Sequence, residues 1–410
     1  MKNTFLTSIE IKKVRHLHDI SIPLSCDTRK HLILTGKNGS GKTSVLDALA
    51  EHFRYIVDSS FMPESTIQKL LKTSRQYFPK GASESDKFEE ESTKERIAFW
   101  EKSMENWTIG AIAACTSYAD LRKKYANGEF IFAYYKADRL AKVEISSTIE
   151  NIQLKEQYAL SETPGSKLVK YMVGLKATQA FAGQKGDQKR VAEIDAWFER
   201  FETILKRIFD DPSLCLDFDI DNFRFHIVQK NREPFDFNTM SSGYSAVFDI
   251  INDLIMRMER TRNYLMEGVV LIDEIETHLH LELQRIVLPF LTEMFPNIQF
   301  IVTSHSPFIL GSIENAVIYD LETQKLVEDG LANYPYEGIV EGYFHADVLS
   351  EELREKLNRY RELVKKQNLT DEDYAEAFTL EQELDEIPDF LSPDIAAEYS
   401  RMKLEFSNRG

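Results

Sequence analysis

Cysteine is scarce in this 410-residue chain: Cys26, Cys115 and Cys215 stand far apart. That spacing excludes a disulfide framework or a zinc ribbon built from them and fits a reducing compartment. No stretch approaches the roughly 20 consecutive apolar residues that span a bilayer, so no membrane association is expected. The opening MKNTFLTSIEIKKVRHL alternates apolar with polar or basic residues. It lacks the apolar centre of a signal peptide, which points to the cytoplasm. Positive charge is in the minority, with 50 Lys and Arg against 67 Asp and Glu and a net charge of -17. Such a surface repels a polyanion, so any nucleic-acid contact must be local. No internal repeat is present. What remains is ample for folding: 43% hydrophobic and 29% charged residues sustain about two to three domain-sized units and exclude disorder throughout.

Within residues 1–53, period-two alternation of Phe5, Ile9 and Ile11, and then of Ile20, Ile22 and Leu24, predicts a pair of strands. The apolar run from His31 to Thr35 is stopped by Gly36, and Val45, Leu46, Leu49 and Phe53 then recur at helical spacing. The order is strand, glycine loop, helix. From 54 to 128 charges dominate and Trp100, Met104 and Trp107 punctuate helical stretches, so an inserted helical subdomain is expected there. Region 129–235 opens with a buried strand, Phe130 to Tyr135. It continues with helices that align Leu168, Tyr171, Met172 and Leu175, then Ile194, Trp197, Phe198, Phe201 and Leu205, and ends in strand-like CLDFDI and FRFHIV.

Region 236–345 alternates a helix around 243–260, a strand at Val269–Ile272, a helix through 279–295 and strands at Ile298–Val302 and Ala316–Tyr319. That alternation predicts a sheet covered on both faces. The remainder, 346–410, is helical and acidic, with 16 acidic against 9 basic residues from 350 onward. Helix starts are signalled by Ser350, by Thr370 with Asp373, and by Ser392 before Pro393. A packing or partner-binding role is expected of it.

The chemistry begins at Gly36-Lys37-Asn38-Gly39-Ser40-Gly41-Lys42-Thr43, which matches G-x-x-x-x-G-K-[ST] directly after an apolar strand and at the start of an amphipathic helix. Glycines at 36, 39 and 41 let such a loop wrap a phosphate with its N–H groups and the helix N-terminus facing the negative charge. Lys42 then reaches the β and γ phosphates and the Thr43 hydroxyl holds Mg²⁺, with Ser44 completing the loop's contacts. Far along the chain, Gly268-Val-Val-Leu-Ile-Asp273-Glu274 reads as a buried strand ending in two carboxylates. Asp273 suits Mg²⁺ and Glu274 suits activation of an attacking water. The next strand ends in Thr303-Ser304-His305, where the histidine is placed to sense a γ-phosphate. Ser241, Ser242 and Gly243 open a further helix as a candidate second anion contact.

This constellation resembles the ABC-type ATPase heads of the SMC-like and RecF-like branch, and more closely the bacterial ATPases related to the OLD and abortive-infection families. The likeness rests on 3–53 and 236–320. It implies an α/β head with a mixed, largely parallel sheet, an inserted helical subdomain and a helical C-terminal tail. It also implies that Ser241 and Gly243 form the signature motif, contacting the γ-phosphate of ATP held by another subunit in a head-to-head homodimer. Higher oligomers are compatible with it. Asp273 becomes the Mg²⁺ ligand, Glu274 the catalytic base and His305 the switch histidine. Ser242 stands where the signature usually has its first glycine. The region around Asp138 and Arg139 corresponds to the lid, but no lid glutamine can be assigned. Glu276-Thr-His278-Leu-His280 matches a stretch at the dimer seam, and two histidines alone make a poor metal site.

OLD-like proteins often carry a Toprim nuclease, and Glu341-Gly342 superficially looks like its opening turn. The chain beyond Gly342 reads as helical, with Asp371, Glu372 and Asp373 at a helix start, so no working nuclease is expected. The resemblance therefore implies an ATP-driven sensing switch, in anti-phage defence, beside a separate nuclease or toxin effector. The alternatives are an ATP-loaded scaffold with little turnover and a RecF-like DNA-repair ATPase.

Overall fold

The computed structural model describes residues 3–76, 84–139, 143–145, 148–344, 351–385 and 393–408. The chain divides into two compact units, Met1–Tyr334 and Pro335–Gly410. In the first, β1 (Leu6–Val14) and β2 (Leu17–Pro23) form an antiparallel pair, followed by β3 (His31–Thr35) and α1 (Lys42–Val57). Two helices, α2 (Glu64–Gln76) and α3 (Glu84–Thr108), lead to β4 (Gly110–Cys115), α4 (Tyr118–Ala126) and β5 (Phe130–Tyr135). Helices α5 (Leu168–Gln184) and α6 (Gln188–Ile208) and the hairpin of β6 (Cys215–Asp219) and β7 (Arg224–Val228) precede α7 (Ser242–Met258). The unit closes with β8 (Glu267–Ile272), α8 (Leu281–Met294), β9 (Ile298–Thr303), α9 (Pro307–Leu310), β10 (Ala316–Asp320) and β11 (Leu326–Val327).

The main sheet runs β11-β10-β3-β9-β8-β5, parallel throughout except for the antiparallel β10–β11 edge. The sheet is thus mixed and largely parallel, as the alternation of apolar runs and helices predicts. Every residue of β3, β9 and β10 is buried, as strands covered on both faces require. On one face Leu32, Leu34, Val269, Leu271, Ile301 and Val317 pack with Val45, Leu46, Leu49 and Phe53 of α1 and with Leu6, Ile9 and Ile11 of β1. Burying each such side chain contributes roughly 1.5–3 kcal/mol, so this one layer fixes α1 against the sheet.

Segment 54–128 is not helical throughout. Residues 110–115 form β4, which pairs with β1 in a three-stranded antiparallel sheet of order β2-β1-β4. Its sequence GAIAAC is mostly glycine and alanine, with little β-propensity, and its place is set by pairing rather than by local preference. Polar side chains join the two sheets. Gln299, fully buried in β9, accepts from Leu6 N (2.7 Å) and donates to the carbonyls of Leu6 (3.1 Å) and Lys30 (2.7 Å). Lys124 Nζ pairs with Glu267 Oε2 at 2.6 Å and also donates to Thr4 Oγ1 at 3.0 Å.

The second unit contains the short α10 (Tyr336–Gly338), a single π-helical turn at Ile339–Tyr343, and α11 (Glu351–Lys365), α12 (Asp371–Asp385) and α13 (Pro393–Ser407). Leu357, Tyr360, Leu363, Ala377, Leu380, Leu384, Tyr399 and Met402 form its core. Thr370 and Asp373 cap α12 reciprocally: Thr370 N donates to Asp373 Oδ2 (2.7 Å), and Asp373 N donates to Thr370 Oγ1 (3.3 Å). Ser350 and Ser392 lie outside the described residues. Glu341 sits in the π-helical turn, and the described elements after it are the helices α11, α12 and α13.

Candidate functional site

Chain reversal after β3 builds the centre of the site. Gly36 and Gly41 hold φ of 133° and 100°, in the left-handed region that side chains avoid. At Gly41 a Cβ would also press on Leu17 Cδ1 at 3.0 Å, because the turn between β1 and β2 lies against the loop. Lys37, Asn38 and Gly39 are exposed at the loop's crest, Ser40, Gly41 and Ser44 are half-buried, and Thr43 is exposed. Lys42 turns inward and is buried; its Nζ donates to Gly36 O (2.8 Å) and Lys37 O (3.3 Å). The first turn of α1 carries no acidic residue, so the positive field of its N-terminus is unopposed from within.

The two carboxylates arrive at the C-terminal end of β8, beside this loop. Asp273 is buried, with Oδ2 accepting from Thr43 Oγ1 at 2.8 Å and Oδ1 accepting from Thr303 Oγ1 at 2.7 Å. Thr303 ends the neighbouring strand β9, and its Oγ1 also accepts from Glu274 N at 2.7 Å. Glu274 has a left-handed backbone, φ 44°, and its Oε2 accepts from Thr277 Oγ1 at 3.2 Å. His305 follows β9; its N–H donates to Glu276 Oε1 at 2.5 Å, and its buried Nε2 has no partner among the described residues. Thus Gly36–Ser44, Asp273, Glu274 and His305 meet at one end of adjacent parallel strands, the place where such sheets bind ligands.

Ser241 and Gly243 stand at the N-terminus of α7. Ser241 is exposed at the cap position and Gly243 is buried against residues 278–279. His278 and His280 are exposed, and no group of three or more metal-binding side chains occurs among the described residues. A hard cation that prefers oxygen fits the pair Thr43 and Asp273, whose hydroxyl and carboxylate already point at one another.

A profile of the family described as "AAA domain, putative AbiEii toxin, Type IV TA system" matches residues 32–311. The chain belongs to this family. Similar proteins include the Septu protein PtuA of Bacillus mycoides (strain KBAB4), 24% identical over 331 residues that cover 79% of this chain and 41% of that protein. Another is the Retron Ec83 probable ATPase of Escherichia coli, 36% identical over 101 residues that cover 23% of this chain and 19% of that protein. The chain thus spans less than half the length of these curated relatives. Among solved structures, the SMC head bound to the C-winged helix domain of ScpA is similar with a TM-score of 0.40 and 13% identity, over 81% of this chain and 100% of that one.

In this AAA-domain protein the site's charges act on one another. Burial lowers the Lys42 ammonium below its ordinary value, while Glu274, Glu276 and Asp273 pull it back up. Burial and the Lys42 charge lower His305, favouring the neutral imidazole, against the upward pull of Glu274. Burial raises Glu276, although the His305 N–H favours its ionised form. Such an arrangement can hold an anion on the loop and Lys42 while a carboxylate stays beside it. Sequence reasoning missed Thr303 as the brace of the Asp273 carboxylate and the Glu274 backbone, and left Arg139 without a function. Thr303 carried a signal, a hydroxyl at a strand end next to the acidic pair. Arg139 carried none, because its partners are backbone carbonyls.

Proposed function

We propose that this chain is a Mg²⁺-dependent ATPase that closes into a head-to-head dimer around ATP and uses hydrolysis as a cytoplasmic switch. The observation that carries the reading is the meeting of the Gly36–Ser44 loop with Asp273, Glu274 and His305 at the ends of β3, β8 and β9. The loop N–H groups and Lys42 bind the β and γ phosphates. Mg²⁺, held by Thr43 and Asp273, supplies positive charge against the phosphate oxygens when bound. Glu274 accepts the proton of the attacking water, and neutral His305 offers its unpartnered Nε2–H to the γ-phosphate. Ser241 and Gly243 serve the nucleotide of the second copy.

The AbiEii description of the family and the likeness to OLD and abortive-infection ATPases support a role in anti-phage defence, with a separate toxin or nuclease as effector. The probable-ATPase name of the Escherichia coli relative supports the chemistry. The test compares ATP turnover and ATP-dependent dimerisation of the wild type and Glu274→Gln. Expected is hydrolysis by the wild type, lost by about a hundredfold or more in the variant, which accumulates as dimer with ATP. Equal, negligible rates and no ATP-dependent dimer would overturn the reading.

A further inference from the structure

Immediately past β5, Arg139 is 5% exposed. A buried guanidinium needs partners for its donors, and here both Nη atoms find backbone oxygens, while Nε has no partner among the described residues. Nη1 donates to Asp273 O at 2.7 Å and Lys136 O at 3.1 Å, and Nη2 donates to Glu274 O at 3.1 Å and Ile275 O at 2.9 Å. Three successive carbonyls beyond the end of β8, where the ladder no longer serves them, are thereby held by one side chain. The middle one belongs to Glu274, the residue held at φ 44°. A non-glycine residue keeps that backbone only where its surroundings over-determine it. The Thr303 hydroxyl on Glu274 N and the Arg139 fork on Glu274 O hold the two peptide units that flank this residue, and Thr277 N also donates to Glu274 O at 2.9 Å.

Arg139 also faces α7. Asp249 of that helix lines the same cleft as Arg139; burial disfavours the guanidinium charge, and Asp249, ahead of Glu276, Asp273 and Glu274, favours it. Burial, with Asp253 nearby, pushes the Asp249 carboxyl up to about 6, against the pull of Arg139. One turn further along α7, Asp253 Oδ2 accepts from Tyr135 OH at 2.7 Å and from Arg257 Nε at 2.7 Å, and its Oδ1 accepts from Gly165 N at 3.1 Å. Helix α7 is thus bonded to the end of β5 through Asp253 and Tyr135, and its Asp249 lines the same cleft as the guanidinium that holds the 273–275 loop.

We infer that Arg139 is a positioning residue: its fork sets the backbone that aims Glu274, and its charge registers α7, the helix that begins at Ser241 and Gly243, against that same loop. The inference rests on the ATPase reading for its consequence in turnover but not for its structural part. The orientation of the carboxylate in one site is then tied to the helix offered to the other. Arg139→Lys separates fork from charge, because an ammonium is a point donor and cannot reach three carbonyls at once.

The experiment measures ATP turnover, affinity for a fluorescent ATP analogue, thermal melting, and hydrogen exchange of the peptide spanning 269–280, in wild type, Arg139→Lys and Asp249→Asn. In Arg139→Lys, kcat is expected to fall at least tenfold with nucleotide affinity within about twofold, and amide exchange across 274–279 to quicken. Asp249→Asn keeps the carbonyl bonds, so exchange in that peptide should stay slow while turnover falls severalfold. It also serves if the lysine variant does not fold. A folded Arg139→Lys with wild-type turnover and exchange would overturn the inference, as would Asp249→Asn indistinguishable from wild type in turnover. A wild type that hydrolyses no ATP would instead sink the ATPase reading, and the exchange data alone would then decide whether Arg139 holds the loop.

Discussion

Thr43 and Asp273 lie 230 positions apart in the chain, yet the Thr43 hydroxyl donates to Asp273 Oδ2 at 2.8 Å. The contact joins the first turn of α1 to the end of β8 across the intervening strand β9. Both oxygens suit a hard cation, and one is neutral while the other is charged. Thr43→Ala is therefore expected to raise the Mg²⁺ concentration for half-maximal turnover by roughly tenfold or more, and Thr43→Ser to restore it. A Mg²⁺ titration of turnover checks this. An unchanged metal requirement in the alanine variant would detach Thr43 from the metal.

Lys42 bears on nucleotide affinity instead. Its Nζ is held by two carbonyls of its own loop, Gly36 O and Lys37 O, so the ammonium is already fixed where phosphate oxygens would arrive. A hydrogen bond to a charged group contributes about 1.5–3 kcal/mol, or about tenfold to a hundredfold in affinity. Lys42→Ala should weaken ATP by at least that factor. Binding of a fluorescent ATP analogue is the measurement, and wild-type affinity in the variant would move the phosphate site elsewhere.

Two buried histidines away from the phosphate loop make stability depend on pH. Burial pushes both His31 and His52 down to about 4 from an ordinary value near 6.5. His31 accepts from Phe300 N at 3.0 Å through Nδ1, and His52 packs edge-on against Trp107 with ring centroids 5.2 Å apart. Between pH 4 and 6.5 the unfolded chain binds more protons than the folded one, so stability rises with pH in that window and is lost as pH falls through it. Each residue contributes at most about 3 kcal/mol to that loss. Urea unfolding at pH 7 and pH 4.5 should therefore show a smaller drop in His52→Gln than in the wild type. Equal drops would mean that His52 is protonated in the folded state.

The parallel sheet was legible because strands buried on both faces leave unbroken apolar runs, as in His31–Thr35, Val269–Ile272 and Ile298–Thr303. The glycine loop and the acidic strand end were legible because they stand where those runs stop. Strand β4 was not, since alanine and glycine carry no period and Ala111 and Ala113 are buried by the partner strand β1. Nor was the grip of Arg139 on residues 273–275, because any residue offers the same carbonyl and a residue pattern cannot mark it.

Gly243 tests whether the two sites depend on one another. It is buried in the first turn of α7, and a Cβ there would stand 2.9 Å from His278 O and 3.3 Å from Leu283 Cδ1. The first of these atoms is backbone, so Gly243→Ala must shift either the start of α7 or the 276–279 turn, at a cost of about 1–3 kcal/mol. Neither segment touches Lys42 through the bonds that hold the phosphate loop, which run to Gly36 and Lys37. The alanine variant should accordingly bind ATP as a monomer with affinity near that of the wild type. It should lose ATP-dependent dimerisation by light scattering, and with it most turnover, because α7 no longer presents Ser241 to the second copy. Full turnover by a monomeric Gly243→Ala protein would place the complete site within one chain and remove the need for a dimer.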